Sequence, residues 1–222
     1  MSSWAKDREQ FRLKAAAEHQ RILTPVFDEL GRADVHVTQL RQLLISPAYF
    51  FVAMPILLKW LPRIDDRHVK EDIVRTLSVK WAKPAAVPVL LDEFRRTGDA
   101  PPSGLGWAIG NALEVLADES IAEDLMEFVQ DRRYGAARHM VALALGKIKN
   151  PRAVDVLIEA LDDEDVVIHA LLGLGKLKAV RAVPSIERCL TAPNPIVRQQ
   201  ARKALAKIEK ARQTKEAPGS TR

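Results

Sequence analysis

The feature that most constrains this chain is an internal repeat with a spacing of about thirty residues. Residues 144–161 read ALGKIKNPRAVDVLIEAL, and similar phrases occur at 112–129 (ALEVLADESIAEDLMEFV) and at 173–190 (GLGKLKAVRAVPSIERCL). A shorter copy begins at 204–210, and a weaker match to the second half of the phrase lies at 86–94. Repetition at this period is typical of helical solenoids, in which each unit buries its apolar face against the next unit.

Each unit has the pattern of two α-helices. Small and apolar residues recur at helical spacing along the first, at Ala137, Met140, Val141, Ala144, Leu145 and Ile148. Asn150 and Pro151 then place a proline in the first turn of a second helix, where its missing N–H is harmless. No segment alternates with the period of a strand. We therefore predict an all-α fold, a right-handed α-solenoid over residues 69–210 with about four repeats, the last incomplete.

These residues also carry a resemblance to a known family. The phrase at 144–148, followed by 151–154 and Leu157, resembles the short HEAT-like repeats of phycobilisome lyases, and 107–113 is similar to bacterial HEAT-repeat proteins of unassigned function. The resemblance implies the fold over about two thirds of the chain. Because such repeats serve many unrelated functions, it leaves the function open. A chromophore-attachment subunit similar to the bilin lyases is one alternative that it implies.

The first 68 residues lack the repeat, and we predict that they form a helical N-terminal cap. Residues 3–30 have the pattern of one long charged helix that ends at Gly31. Ser46 and Pro47 have the chemistry of a helix cap and a first-turn proline, so a second helix is predicted from there to about Trp60. Solenoids need such caps, because the end of a stack would otherwise expose its apolar core.

The net charge of +5 belongs to the C-terminal end of the chain. Residues 201–222 hold seven Lys or Arg against two Glu, whereas the other 200 residues hold 27 of each sign. A second alternative follows, in which a basic terminal helix binds nucleic acid. Its cations would be Arg198, Arg202, Lys203, Lys207 and Lys210. Residues 211–222, which end in KEAPGSTR, are predicted to be a disordered tail.

The register of the repeats predicts an acidic binding surface. Equivalent positions of successive second helices align into ridges, which we assign to the concave side of the stack. The residues on these ridges are Asp92, Glu123, Asp124, Glu127, Asp155, Glu159 and Arg188. Carboxylates in such a groove repel phosphates and attract basic segments. The predicted partner is therefore another protein or peptide of basic character, and nucleic acid is not expected in the groove, in contrast to HEAT-like alkylpurine glycosylases.

Two first-helix positions are of separate interest. Trp107 and Asn111 lie four residues apart and therefore share one face of their helix, where the tryptophan either packs in the core or contacts a partner. Arg138 and Arg198 hold equivalent positions in two other first helices. We expect them to form ion pairs with acidic neighbours such as Asp165.

Residues that would carry catalysis cannot be found in the sequence. HEAT-type deoxyhypusine hydroxylases hold two iron ions with repeated His-Glu pairs, but none of the five histidines here is followed by Glu. A glycine-rich phosphate loop, a nucleophile elbow and paired catalytic carboxylates are also missing. We therefore predict a protein that is not an enzyme and that binds no metal and no cofactor.

The sequence also predicts where the protein is found. Its first twenty residues carry charges throughout and lack the apolar stretch of a signal peptide. The longest apolar run, 49–58, is shorter than the about 20 residues that cross a bilayer. These patterns favour a cytoplasmic location.

Overall fold

The computed structural model describes residues 3–98 and 104–216, and within those residues every regular element is a helix. The all-α prediction is thereby confirmed. The α-helices are α1 (Ser3–Arg32), α2 (Pro47–Trp60), α3 (Arg67–Leu77), α4 (Ala86–Thr97), α5 (Gly104–Leu116), α6 (Ala122–Gln130), α7 (Arg138–Leu145), α8 (Pro151–Glu159), α9 (Val167–Leu177), α10 (Val183–Arg188) and α11 (Pro195–Glu216). Short 3-10 helices join several of them, including one at Leu40–Ile45.

The helices from α3 onward form two layers of an α-solenoid. The first helices of the units are α3, α5, α7, α9 and α11, and the second helices are α4, α6, α8 and α10. Successive first helices pack closely against one another, and each second helix packs mainly against the first helix that follows it. Successive second helices approach each other far less. The handedness of the stack stays a prediction.

The apolar core runs continuously between the two layers. One fully buried leucine or isoleucine from each helix contributes to it, for example Ile73, Leu90, Ile109, Leu125, Leu145, Leu157 and Leu174. An aromatic cluster fills the space beside α4 and α6, where the rings of Phe94, Phe128 and Tyr134 lie 4.6 to 5.3 Å apart between centroids. Burial of apolar surface stabilises a fold by about 25 cal/mol per Å², so this band is the main source of stability.

The first helices touch one another through their backbones. A Cβ atom placed on Gly146 would lie 2.5 Å from the Cα atom of Gly173, and one placed on Gly175 would lie 3.0 Å from the Cα atom of Ala204. A Cβ atom does not fit at the first of these distances, so glycine is required at position 146, where α7 contacts α9 without an intervening side chain. At the second distance the neighbouring α11 would have to shift by a few tenths of an ångström.

Arg138 of α7 is the largest fully buried side chain, and its partners lie on α6 and in the turn between α8 and α9. The guanidinium donates to Asp163 at 2.7 Å and to Asp165 at 3.3 Å, and also to the carbonyl oxygen of Val129 at 3.3 Å. The predicted ion pair with Asp165 is thus confirmed. The expectation for Arg198 is wrong, because its guanidinium donates to backbone carbonyl oxygens in the turn before α11.

The N-terminal helices pack on α3 and α4 at one end of the stack. Helix α1 runs through Gly31 to Arg32, so the predicted end is wrong by one residue, and the left-handed residue that follows is Asp34 with φ of 57°. Helix α2 begins at Pro47 as predicted, although the Ser46 side chain forms no cap hydrogen bond. The outer face of this cap remains apolar, with Ile45, Tyr49, Phe51 and Val52 exposed.

The predicted start of the disordered tail at residue 211 is also wrong. Helix α11 continues to Glu216, since nothing in this stretch interrupts helical geometry before Pro218. Side-chain hydrogen bonds between residues one turn apart support the last turns, from Gln213 to Glu209 at 2.9 Å and from Thr214 to the carbonyl oxygen of Lys210 at 2.8 Å. The remainder of the predicted tail, 217–222, lies outside the described residues.

Candidate partner-binding surfaces

The residues predicted on the second helices do lie together on that layer. All of them except the half-buried Asp124 are exposed, namely Asp92, Glu123, Glu127, Asp155, Glu159 and Arg188. These side chains are exposed because the apolar residues between them along α4, α6, α8 and α10 face the core. The acidic side chains are therefore accessible. The net charge of this surface depends on which basic side chains lie beside them.

Arginines from neighbouring units surround them. Arg152 of α8 contacts Glu123 of α6 at 2.5 Å, and Arg181 beside α10 contacts Asp155 of α8 at 2.7 Å. Arg95 of α4 contacts Asp124 of α6 in the same manner. These contacts form a ladder of ion pairs along the second helices, and they compensate much of the acidic charge of that surface.

The remaining predicted positions have weaker partners. Asp92 pairs with Arg95 within α4 at 3.0 Å, Glu159 accepts a hydrogen bond from Gln130 at 3.1 Å, and Arg188 lies 3.8 Å from Asp162. Among the described residues, Glu127 has no ion pair. Two of the three pairs recur in the repeat register, because Arg152 and Arg181 hold equivalent positions and so do Glu123 and Asp155. In the sequence, each ion pair of the ladder appears as a carboxylate and an arginine spaced 26 to 29 residues apart.

The exposed face of the first helices has another character. Trp107 is 42% exposed and therefore does not pack in the core. Asn111, one turn later, is half-buried beside it. The repeat offsets give two rows of equivalent positions across α5, α7 and α9, one with Trp107, His139 and Ile168 and the other with Asn111, Leu143 and Leu172. Apart from the exposed tryptophan, the other five side chains are half-buried, so the rows form a partly apolar surface.

Two histidines stack between α7 and α9. The rings of His139 and His169 are nearly parallel, with centroids 4.2 Å apart. Burial, together with the neighbouring His139, lowers the pKa of His169 to about 4. The His169 ring is therefore neutral at physiological pH, which makes it part of the partly apolar surface. Its buried Nδ1 atom has no hydrogen-bond partner.

Within residues 3–98 and 104–216, no three His, Cys, Asp or Glu side chains converge in a way that could hold a metal ion. No described helix combines the length and the apolar character needed to cross a bilayer.

Comparison with known proteins agrees with this architecture. Residues 95–171 match the family model for HEAT repeats. The central units are similar to HEAT repeats. The match spans about a third of the chain, from the end of α4 into α9. The likeness to phycobilisome lyases in particular, and a bacterial origin, stay predictions. No curated protein matches the chain.

Solved structures of similar fold include designed repeat proteins. A designed armadillo repeat protein, YIII(Dq.V1)4CPAF in complex with peptide (KR)4, superimposes with a TM-score of 0.51 at 15% sequence identity, covering 90% of this chain and 94% of that chain. A second designed armadillo repeat protein, YIII(Dq)4CqI, has a TM-score of 0.48 at 15% identity, covering 86% of this chain and 98% of the other. At such identity the likeness concerns the fold alone.

Proposed function

We propose that this chain is a non-enzymatic protein-interaction scaffold that holds a segment of a partner protein along the exposed face of its first helices. The observation that carries the proposal is Trp107, a large aromatic side chain left 42% exposed on α5, one turn from the half-buried Asn111. Tryptophan is enriched among the residues that dominate binding energy at protein interfaces. The half-buried row of Asn111, Leu143 and Leu172 extends the contact over three units.

The closeness of neighbouring helices within each layer also supports the first helices as the binding face. The first helices meet backbone to backbone at Gly146 and Gly173, whereas the second helices are bridged by long arginine side chains such as that of Arg152. A stack bends toward its more closely spaced layer. We therefore propose the first helices as the concave side, in place of the second helices expected from the ridge pattern.

The test is to replace the tryptophan and follow the partner. Full-length protein would be used to capture partners from the cell of origin, and the captured protein would then be titrated against purified variants by calorimetry. We expect Trp107→Ala to lose about 2 kcal/mol of binding free energy or more, which is about thirtyfold in Kd.

Trp81→Ala is the matched control, because Trp81 is 40% exposed but lies away from this face, against Phe50 of the cap. Its affinity should equal that of the wild type. An unchanged affinity of Trp107→Ala, with an unchanged melting temperature, would exclude this face as the binding site.

A second candidate surface is the acidic one on the second helices, for binding of a basic peptide. Glu127 and Glu159 are carboxylates of this surface without an ion pair among the described residues, and a designed protein of similar fold is found in complex with the peptide (KR)4. If this surface binds, the same peptide should bind the wild type and lose binding on charge reversal of Glu127, Asp155 and Glu159 together. Peptide binding that survives the reversal would exclude it. Nucleic-acid binding and chromophore attachment stay predictions from the sequence.

A further inference from the structure

A pocket of about 750 Å³ lies where the ends of α7 and α9 meet the end of α11. Five of its nine lining residues are cationic and none is acidic. The cations are Lys147, Lys149, Lys176, Lys178 and Arg212. This pocket is at the loop edge of the last units, away from Trp107 and from the second-helix ion pairs.

The repeat brings these cations together. Lys147 and Lys176 hold equivalent positions, as do Lys149 and Lys178, so stacking of the units places like charges side by side. One carboxylate serves the first pair, since Glu114 Oε1 lies 2.6 Å from the Nζ atom of Lys147 and 3.8 Å from that of Lys176. Like charges side by side repel one another, so two lysines that share one carboxylate keep excess positive charge.

The surroundings of the individual lysines agree with that excess. Burial lowers the pKa of Lys176, and the ammonium of Lys147 lowers it further, whereas Glu114 raises it. Lys149 and Lys178 have no ion pair among the described residues. The dipoles at the ends of α7 and α9 favour nearby cations, which explains lysines within the last turns but not those on the following loops.

Lys178 provides an independent observation. It follows the end of α9 in the left-handed region, with φ of 54° and ψ of 43°. Glycine or asparagine usually holds this position, because a side chain there strains the backbone. A lysine kept at a strained position, at the rim of a cationic pocket, indicates that its charge serves the pocket.

We propose that this pocket binds a small soluble ligand carrying two or more phosphate groups. Ligand pockets of about 300–1,000 Å³ are typical of small-molecule sites. Lysine ammonium groups bind phosphates as point charges, and four lysines line this pocket.

The extent of the basic region favours a small ligand over nucleic acid. In the preceding unit, Val115 and Ala117 hold the positions of Lys147 and Lys149, and in the following unit Lys207 and Glu209 hold them, so the cationic row spans three units at one position and two at the other. A nucleic-acid backbone needs cations along its whole track to release its counterions. The cations here converge on one pocket.

The proposal is tested with inorganic tripolyphosphate, titrated by calorimetry into the full-length protein at physiological ionic strength. We expect saturable binding with one site per chain and much weaker binding of orthophosphate. Lys149→Gln combined with Lys178→Gln should weaken the affinity at least about tenfold, because two charge-assisted contacts are lost while the Glu114 pairs stay intact.

Lys203→Gln combined with Lys210→Gln is the matched control, since both side chains are exposed on α11 outside the pocket. Its affinity should remain within about twofold of the wild type, as expected for distant screened charges. Lys178→Gly should raise the melting temperature and lose affinity for tripolyphosphate. Three results would each overturn the proposal: no saturable binding, equal weakening by both double variants, or tighter binding of an oligonucleotide than of tripolyphosphate.

Discussion

The two layers of the stack are held together by different forces. Successive first helices meet through backbone contacts, with Gly146 against Gly173 and Gly175 against Ala204. Successive second helices are joined by exposed ion pairs such as Arg152 with Glu123. Close packing has little tolerance for a change of volume, whereas exposed ion pairs contribute only about 0–1 kcal/mol each. We infer that the first layer fixes the geometry of the stack and that the second layer can adjust.

The strongest test of this comparison is Arg138, whose buried guanidinium contacts α6 and the turn between α8 and α9. Arg138→Ala leaves the carboxylate of Asp163, itself largely buried, without its main partner. Removal of one member of a buried ion pair costs about 3–5 kcal/mol, so we expect a loss of that size in the free energy of unfolding measured with urea. Arg198→Ala is the control, since its side chain contacts only backbone carbonyls, and it should be clearly milder.

The stacked histidines of the first layer predict how stability depends on pH. The folded pKa of His169 is about 4, below its ordinary value of 6.5, so the unfolded chain binds the proton more tightly. Stability from this group is complete above pH 6.5 and is lost as the pH falls toward 4, by about 2–3 kcal/mol in total. Melting temperatures over this range should fall less for His169→Gln; an equal fall would assign the effect to other groups.

A single methyl group tests the backbone contact between first helices. Gly146→Ala would place a Cβ atom 2.5 Å from the Cα atom of Gly173, so α7 and α9 must move apart. Overpacking of this kind costs about 1–3 kcal/mol, which urea unfolding can measure. In α1, Gly31→Ala meets nothing closer than 3.8 Å and should be neutral or stabilising. Equal stability of the two variants would contradict a geometry fixed by the first layer.

The smallest effect is expected in the second layer. Arg152→Ala combined with Arg181→Ala removes two of its ion pairs, both with side chains about half exposed or more. The free energy of unfolding should fall by less than about 1–2 kcal/mol in total, and high salt should abolish the difference from the wild type. A loss as large as that of Arg138→Ala would mean that the two layers do not differ as described.

Much of the fold follows from the sequence because the repeat period is unusually regular. The spacing from Ala144 to Gly173 and the helical pattern predict the pairs of helices, and both are local properties of the chain. Boundaries are less predictable, as Gly31 and the start of the tail at 211 illustrate. Glycine permits a helix end but does not impose one, and contacts with neighbouring residues determine how far α11 continues.

The binding surfaces were predictable as positions but not in their electrostatics. Repeat register places Asp155 and Glu123 on one layer, as the structure does, because exposure follows helical period. Whether such a carboxylate is free depends on the rotamer of a long arginine in the next unit, which helical period does not specify. The exposure of Trp107 is likewise not specified by the sequence pattern. A tryptophan in a helix of small residues can lie in the core or at the surface, and the packing of the neighbouring helices determines which.

From α6 onward the ion-pair ladder has a direction, because the arginine of each pair lies in the later unit, whereas the Arg95–Asp124 pair has the opposite order. Arg152 of helix α8 pairs with the unit before it, and Asp155 of the same helix pairs with the unit after it. The two edges of α8 therefore carry opposite charges, and each edge pairs with the opposite edge of a neighbouring unit. Two such units pair arginine with carboxylate when they stack in the same orientation. The pairing is lost when one of them is reversed. Gene duplication of one unit would therefore preserve the ion pairs on both of its sides. The number of units in such a stack can change through evolution while the ion pairs between units stay the same.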